Sequence, residues 1–163
     1  MRQHTVTDSP YGPLTLVADD GVLCGLYMEG QRHRPPEETF GTPDDVPFTE
    51  TKEQLAAYFA GDLTEFTVPL RLHGTSFQLR VWDQLRRIPY GETRTYGQLA
   101  DRLGNPKASR AVGLANGRNP VGIIVPCHRV VGSTGSLTGY GGGLPRKQRL
   151  LDFERGAALL PAY

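Results

Sequence analysis

The chain has 163 residues, of which 38% are hydrophobic, 21% charged and 9% aromatic, a composition that fits a soluble globular protein and excludes a disordered, fibrous or membrane-spanning one. The formal charge of +1 conceals a split at His73: residues 1–73 hold 5 Lys+Arg against 12 Asp+Glu, and residues 74–163 hold 13 against 5. A net −7 beside a net +8 favours two small domains, 1–73 and 74–163, and points the second toward a polyanionic partner.

Near the N-terminus, Leu14-Thr15-Leu16-Val17 leads through Asp19-Asp20-Gly21 into Val22–Met28, and an Asp-Gly between apolar runs predicts two antiparallel strands. Pro35, Pro36, Pro43 and Pro47 make residues 31–47 read as a surface loop. Leu55, Tyr58 and Phe59 share one face of a helix expected to begin near Thr51, with Gln54 completing a capping box, and to end before Gly61. Phe66–Leu70 reads as one more strand. No apolar run of signal-peptide length opens the chain.

The second stretch reads as mostly helical. Thr75 with Gln78 opens a helix whose face is Phe77, Val81, Trp82, Leu85 and Ile88, with Trp82 assigned to the core. Thr95 with Gln98 opens another, Tyr96–Leu103, stopped by Gly104. Asn105-Pro106 reads as a cap followed by a first-turn proline, predicting a helix from Pro106 to Asn116 after a turn of about three residues. Val121–Val125 reads as extended, Gly132–Gly143 as a loop and Pro145–Glu154 as a final helix.

Two short helices across a tight turn fit either a helix-turn-helix, with Lys107, Ser109, Arg110 and Asn116 offered to a nucleic-acid groove, or a plain hairpin that packs a core. The basic residues around the pair, Arg110, Arg118 and Arg129 among them, favour DNA. Small residues at Ala108, Ala111, Gly113 and Ala115 suit a close approach, to DNA or to another helix.

The chain has two cysteines, Cys24 and Cys127, and no C-x-x-C pair, so neither a disulfide framework nor a zinc knuckle is expected and the setting is a reducing cytoplasm. Cys24 lies in a strand-like run and reads as an inert buried thiol. Cys127 stands beside His128 and Arg129, where positive charge would depress its pKa and favour the nucleophilic thiolate. His128 can serve it as a base only if the chain breaks at Pro126 or a water bridges the two, and the group orienting His128 is either Asp152 or Glu154. His4, His33 and His73 lack metal-ligand spacing and read as surface residues. Tyr96 and Tyr140 suit packing or a site equally. These features admit a non-catalytic DNA-binding module and a cysteine hydrolase; Cys127 argues against the first and the charge split against the second.

Pro126-Cys127-His128-Arg129-Val130-Val131, preceded by Asn105-Pro106-Lys107-Ala108-Ser109-Arg110-Ala111-Val112-Gly113 and by Asn119-Pro120, closely resembles the O6-alkylguanine-DNA alkyltransferases, also called methylated-DNA-protein-cysteine methyltransferases, from about Gly74 to Glu154. The resemblance implies an α+β or α/β protein: a small ribonuclease-H-like sheet domain, then a mostly helical domain with a helix-turn-helix. It implies DNA repair by direct reversal, in which Cys127 irreversibly takes the alkyl group from O6 of guanine in a single turnover. His128 would act as base through a water, oriented by Glu154 rather than Asp152, while Asn119 braces the cysteine segment and Tyr96 donates to the departing guanine. Arg110 would fill the gap left by a flipped-out nucleotide, with Lys107, Ala108, Ser109, Asn116 and Arg118 at the minor groove. Tyr140, Gly141 and the backbone at Val130 would line the base pocket. No cofactor and no metal are implied, since Cys24 is the only N-terminal cysteine; the partner is double-stranded DNA carrying alkylated guanine, met by a monomer with or without clustering of copies along the duplex.

Overall fold

The computed structural model describes residues 1–156, which form two compact units, Met1–Leu72 and a second beginning at His73. The first is a small sheet domain. Strands β1 (Arg2–Thr7), β2 (Leu14–Asp19), β3 (Val22–Met28) and β4 (Thr42–Pro43) lie in the order β3-β2-β1-β4. The hairpin expected from the Asp-Gly signal joins β2 to β3 antiparallel, with Asp20 at φ 47° and Gly21 at φ 82°, the paired positive angles of a type I′ turn. Helix α1 (Thr49–Phe59) buries Leu55 and Tyr58.

The structure adds one strand to those expected in this unit and corrects three readings. β1 gave no sequence signal because its residues are mostly polar: Thr5 is buried by bonding Asp45, while Val6 faces out at 56% exposure. Residues 31–47 are more ordered than a loop, because Phe40 stacks on Tyr27 at 5.6 Å and draws the chain inward, letting β4 pair parallel to β1. The helix opens two residues earlier than expected, so Thr51 is a buried interior residue and forms no cap; Gln54 instead clamps the N–H and hydroxyl of Thr67 at 2.9 and 2.8 Å. Phe66–Leu70 is not a strand beyond one parallel bridge between Leu70 and Leu23, as Pro69 has no N–H to give a ladder.

The second unit is mostly helical: α2 (Ser76–Arg86), β5 (Arg94–Thr95), α3 (Tyr96–Arg102), α4 (Ser109–Gly117), β6 (Val130–Val131) and α5 (Leu144–Glu154). Both expected capping boxes are present, with Gln78 N–H to Thr75 and Gln98 N–H to Thr95 at 3.1 Å each and the glutamine side chains reaching back. Trp82 is buried and its Nε1 donates to the Ala115 carbonyl at 2.9 Å, tying α2 to α4. Helix α4 begins three residues later than expected. Asn105-Pro106 forms a separate turn, closed by the Ala108 N–H on the Asn105 carbonyl at 3.0 Å, so Asn105 caps no helix. Among the described residues no helix is long and apolar enough to cross a membrane.

Candidate active site

Residues 121–125 are not extended, and the reason sets up the site. Buried Asn119 reaches across the segment, its Nδ2 donating to the Val125 carbonyl at 2.7 Å while its Oδ1 accepts from the Val121 N–H at 3.0 Å. The apolar run therefore folds into a tight turn, with Ile123 at φ 68°. A β-branched residue in that region stores about 1–3 kcal/mol of strain, held only because its surroundings over-determine it. The chain leaves this turn through Pro126 into a single 3₁₀ turn, Cys127–Arg129, which supplies the break that two adjacent functional side chains require.

Cys127 and His128 are both buried, at 6% and 0% exposure. From α5, Glu154 Oε2 meets His128 Nε2 at 2.8 Å, and its carboxylate also accepts Arg129 Nε at 2.8 Å and Nη2 at 3.0 Å. Glu154 is thus the residue that orients His128; Asp152 lies one helical turn from Gln148 and accepts a bond from it at 2.8 Å. Burial alone would raise the Glu154 carboxyl, but the bonds and charges of His128 and Arg129 hold it well below the usual carboxylate range. Burial pushes His128 down, with Arg129 and Lys147 adding to the fall against Glu154, so the imidazole is neutral. With an ionised carboxylate at Nε2 the proton sits there, and Nδ1, which has no hydrogen-bond partner among the described residues, carries the basic lone pair.

Two expectations about charge are corrected. Burial pushes the Cys127 thiol up rather than down, while a bond from Asn119 and the Lys147 charge oppose the rise. Arg129 does not serve the thiol: its guanidinium is occupied by Glu154 and by the Ile88 carbonyl at 2.7 Å, and it lies 5.7 Å from the Tyr90 ring centroid. The cation that favours a thiolate is Lys147, a residue the sequence reading missed. Lys147 has no exposed surface, its Nζ donates to the carbonyls of Thr138 and Gly139 at 2.8 and 3.2 Å, and burial brings its pKa down to about 8. Its spacing from Leu150, Leu151 and Glu154 puts it on the inward face of α5, a signal that helical periodicity did contain.

The other candidate residues divide by exposure. Lys107, Arg110 and Arg118 are exposed around α4, Ser109 is half-buried and Ala108 is buried at the helix start. Asn116 is corrected: it belongs to the inner face with Val112 and Ala115, is 4% exposed, and points Nδ2 at the Cys127 carbonyl, 3.4 Å away. Tyr96 is half-buried at the start of α3, its hydroxyl donating to the Thr138 carbonyl at 3.1 Å. Tyr140 and Gly141 are half-buried, and Val130 is fully buried, its N–H on the Cys127 carbonyl and its register opposite Arg94. Both cysteines are free thiols.

Known proteins match this chain over both of its units. Residues 76–156 match the family described as the DNA binding domain of 6-O-methylguanine DNA methyltransferase, and residues 3–72 match the ribonuclease-like domain of the same protein. The chain is 56% identical over 158 residues to the methylated-DNA-protein-cysteine methyltransferase of Mycobacterium tuberculosis, covering 97% of this chain and 95% of that one. It is 50% identical over 152 residues to the protein of that name from Methanosarcina acetivorans, covering 93% and 97%. A crystal structure of Mycobacterium tuberculosis OGT in complex with DNA superposes with a TM-score of 0.92 over 97% of this chain and 96% of that chain. The chain belongs to the 6-O-methylguanine DNA methyltransferase family.

Proposed function

We propose that this protein repairs O6-alkylguanine in double-stranded DNA by direct reversal, moving the alkyl group onto Cys127 in one irreversible turnover. The observation that supports this most is the buried series Cys127, His128, Glu154 and Arg129, set in a domain that matches a DNA-binding family. His128 takes the thiol proton through a water at its Nδ1, and Glu154 steadies the imidazolium that results. Sγ then attacks the alkyl carbon in line: the S–C bond forms, the C–O6 bond breaks, and the electron pair goes to guanine. Tyr96 donates to that guanine, because a neutral leaving group departs more readily than an anion. The thioether product has no route back, so each molecule acts once.

In this reading α3 and α4 form a helix-turn-helix whose second helix enters the minor groove, and the first unit is a ribonuclease-H-like domain. Lys107 and Arg118 meet phosphates, Arg110 fills the gap left by the extruded base, and Tyr140, Gly141 and the Val130 backbone receive it. A reducing, cytoplasmic setting fits the free thiols of Cys24 and Cys127.

The test is incubation with duplex carrying a radiolabelled O6-methyl group. Label should move to protein and stop at one equivalent; continued turnover overturns the proposal. Arg110→Ala should weaken binding to lesion duplex by about tenfold more than binding to undamaged duplex, as measured by fluorescence anisotropy, because a steric role is added to a charge role. Equal losses on both duplexes would reduce Arg110 to its charge.

A further inference from the structure

We propose that Thr138 is a positioning residue for the transfer: its hydroxyl donates to the Tyr96 hydroxyl oxygen, aiming the Tyr96 O–H at the departing guanine and making it a stronger donor. The proposal rests on Tyr96 acting on the leaving group.

Thr138 meets Tyr96 twice. Its carbonyl accepts the Tyr96 O–H at 3.1 Å, and its own Oγ1 donates to the Tyr96 oxygen at 3.2 Å. The tyrosine ring cannot wander. It opens α3 immediately after the Thr95 capping box, and a Cβ built on Gly113 of α4 would lie 3.8 Å from its Cδ1 and Cε1, so the ring sits against the bare backbone of that helix. What remains free to move is the direction of the hydroxyl proton.

The Thr138 carbonyl has a second donor, Lys147 Nζ, at 2.8 Å. A carbonyl oxygen has two lone pairs, and in the resting site both are used. When the Tyr96 proton turns to guanine, the carbonyl keeps the Lys147 bond and is not orphaned, so releasing Tyr96 carries little penalty. The Thr138 hydroxyl can keep its bond to the Tyr96 oxygen throughout. A phenol that accepts a hydrogen bond donates its own proton more strongly. Lys147, anchored without exposed surface inside α5, fixes the height of the loop that carries Thr138.

As the C–O6 bond breaks, negative charge collects on guanine, and a stronger donor lowers that barrier most when the leaving group is least acidic. The experiment measures single-turnover alkylation of the full-length protein by two free bases, O6-benzylguanine and a more acidic 8-halo derivative. Thr138→Val should slow the first by about tenfold and the second by about twofold, and Thr138→Ser should restore both to within about twofold. Tyr96→Phe should show the same trend with a larger amplitude. Equal slowing of the two bases by Thr138→Val, no slowing, or failure of serine to rescue would overturn the proposal. Insensitivity of both rates to Tyr96→Phe would instead overturn the role given to Tyr96, with Thr138 falling with it.

Discussion

Cys127→Ser is expected to reduce alkyl transfer by more than about 10³-fold while leaving duplex affinity within about twofold of the parent protein. The two effects separate because the groups responsible lie apart. Lys107, Arg110 and Arg118 are exposed around α4, whereas Cys127 is buried in the 3₁₀ turn behind it. Burial already raises the thiol, and a serine hydroxyl starts several pKa units higher, beyond what a neutral imidazole can deprotonate. Single-turnover transfer of label measures the first effect and fluorescence anisotropy with lesion duplex the second. Transfer that survives near the parent rate would place the acceptor elsewhere, with Cys24 as the only other thiol.

Glu154→Gln is expected to impair both stability and reaction. The carboxylate is bound by His128 and twice by Arg129, and glutamine leaves a buried guanidinium without its counter-charge and turns an N–H₂ toward a donor. Breaking a buried pair by removing one partner costs about 3–5 kcal/mol, which for a domain of this size lowers the thermal midpoint by at least about 10 °C. Transfer falls too, because the imidazolium formed at His128 loses the carboxylate charge that stabilises it. In the parent protein the pH dependence has two parts. His128 is held neutral by burial, so the unfolded chain takes up a proton below about 6.5 that the folded chain refuses, and stability falls as pH drops through that range. Glu154 is held ionised, so its contribution is present above the ordinary carboxylate value of 4.5 and is lost below it. Melting curves from pH 7.5 to 4 should show both parts in the parent protein and a flatter acid limb in Glu154→Gln.

Local chemistry made much of the second unit legible. Thr75 with Gln78 and Thr95 with Gln98 marked helix starts because a capping box satisfies its donors within four residues, and Asp20-Gly21 marked a hairpin for the same local reason. Where a distant side chain decides, the reading failed. Val121–Val125 has the composition of a strand, but Asn119 ties its two ends together. Thr51 looked like a cap until burial made it interior, and Asn116 looked like a groove residue until α4 turned it toward Cys127. The pairing of Cys127 with His128 was legible through its motif, but the electrostatics of the thiol were not: the adjacent Arg129 pairs away from it, while Lys147, twenty residues on, supplies the charge.

Arg129 joins the carbonyl of Ile88, 41 residues before it, to Glu154, 25 residues after it. A chain emerging from synthesis therefore presents Cys127 well before the helix that supplies Glu154, and for that interval His128 has no carboxylate to order it. The series Cys127, His128 and Glu154 is complete only once α5 has docked.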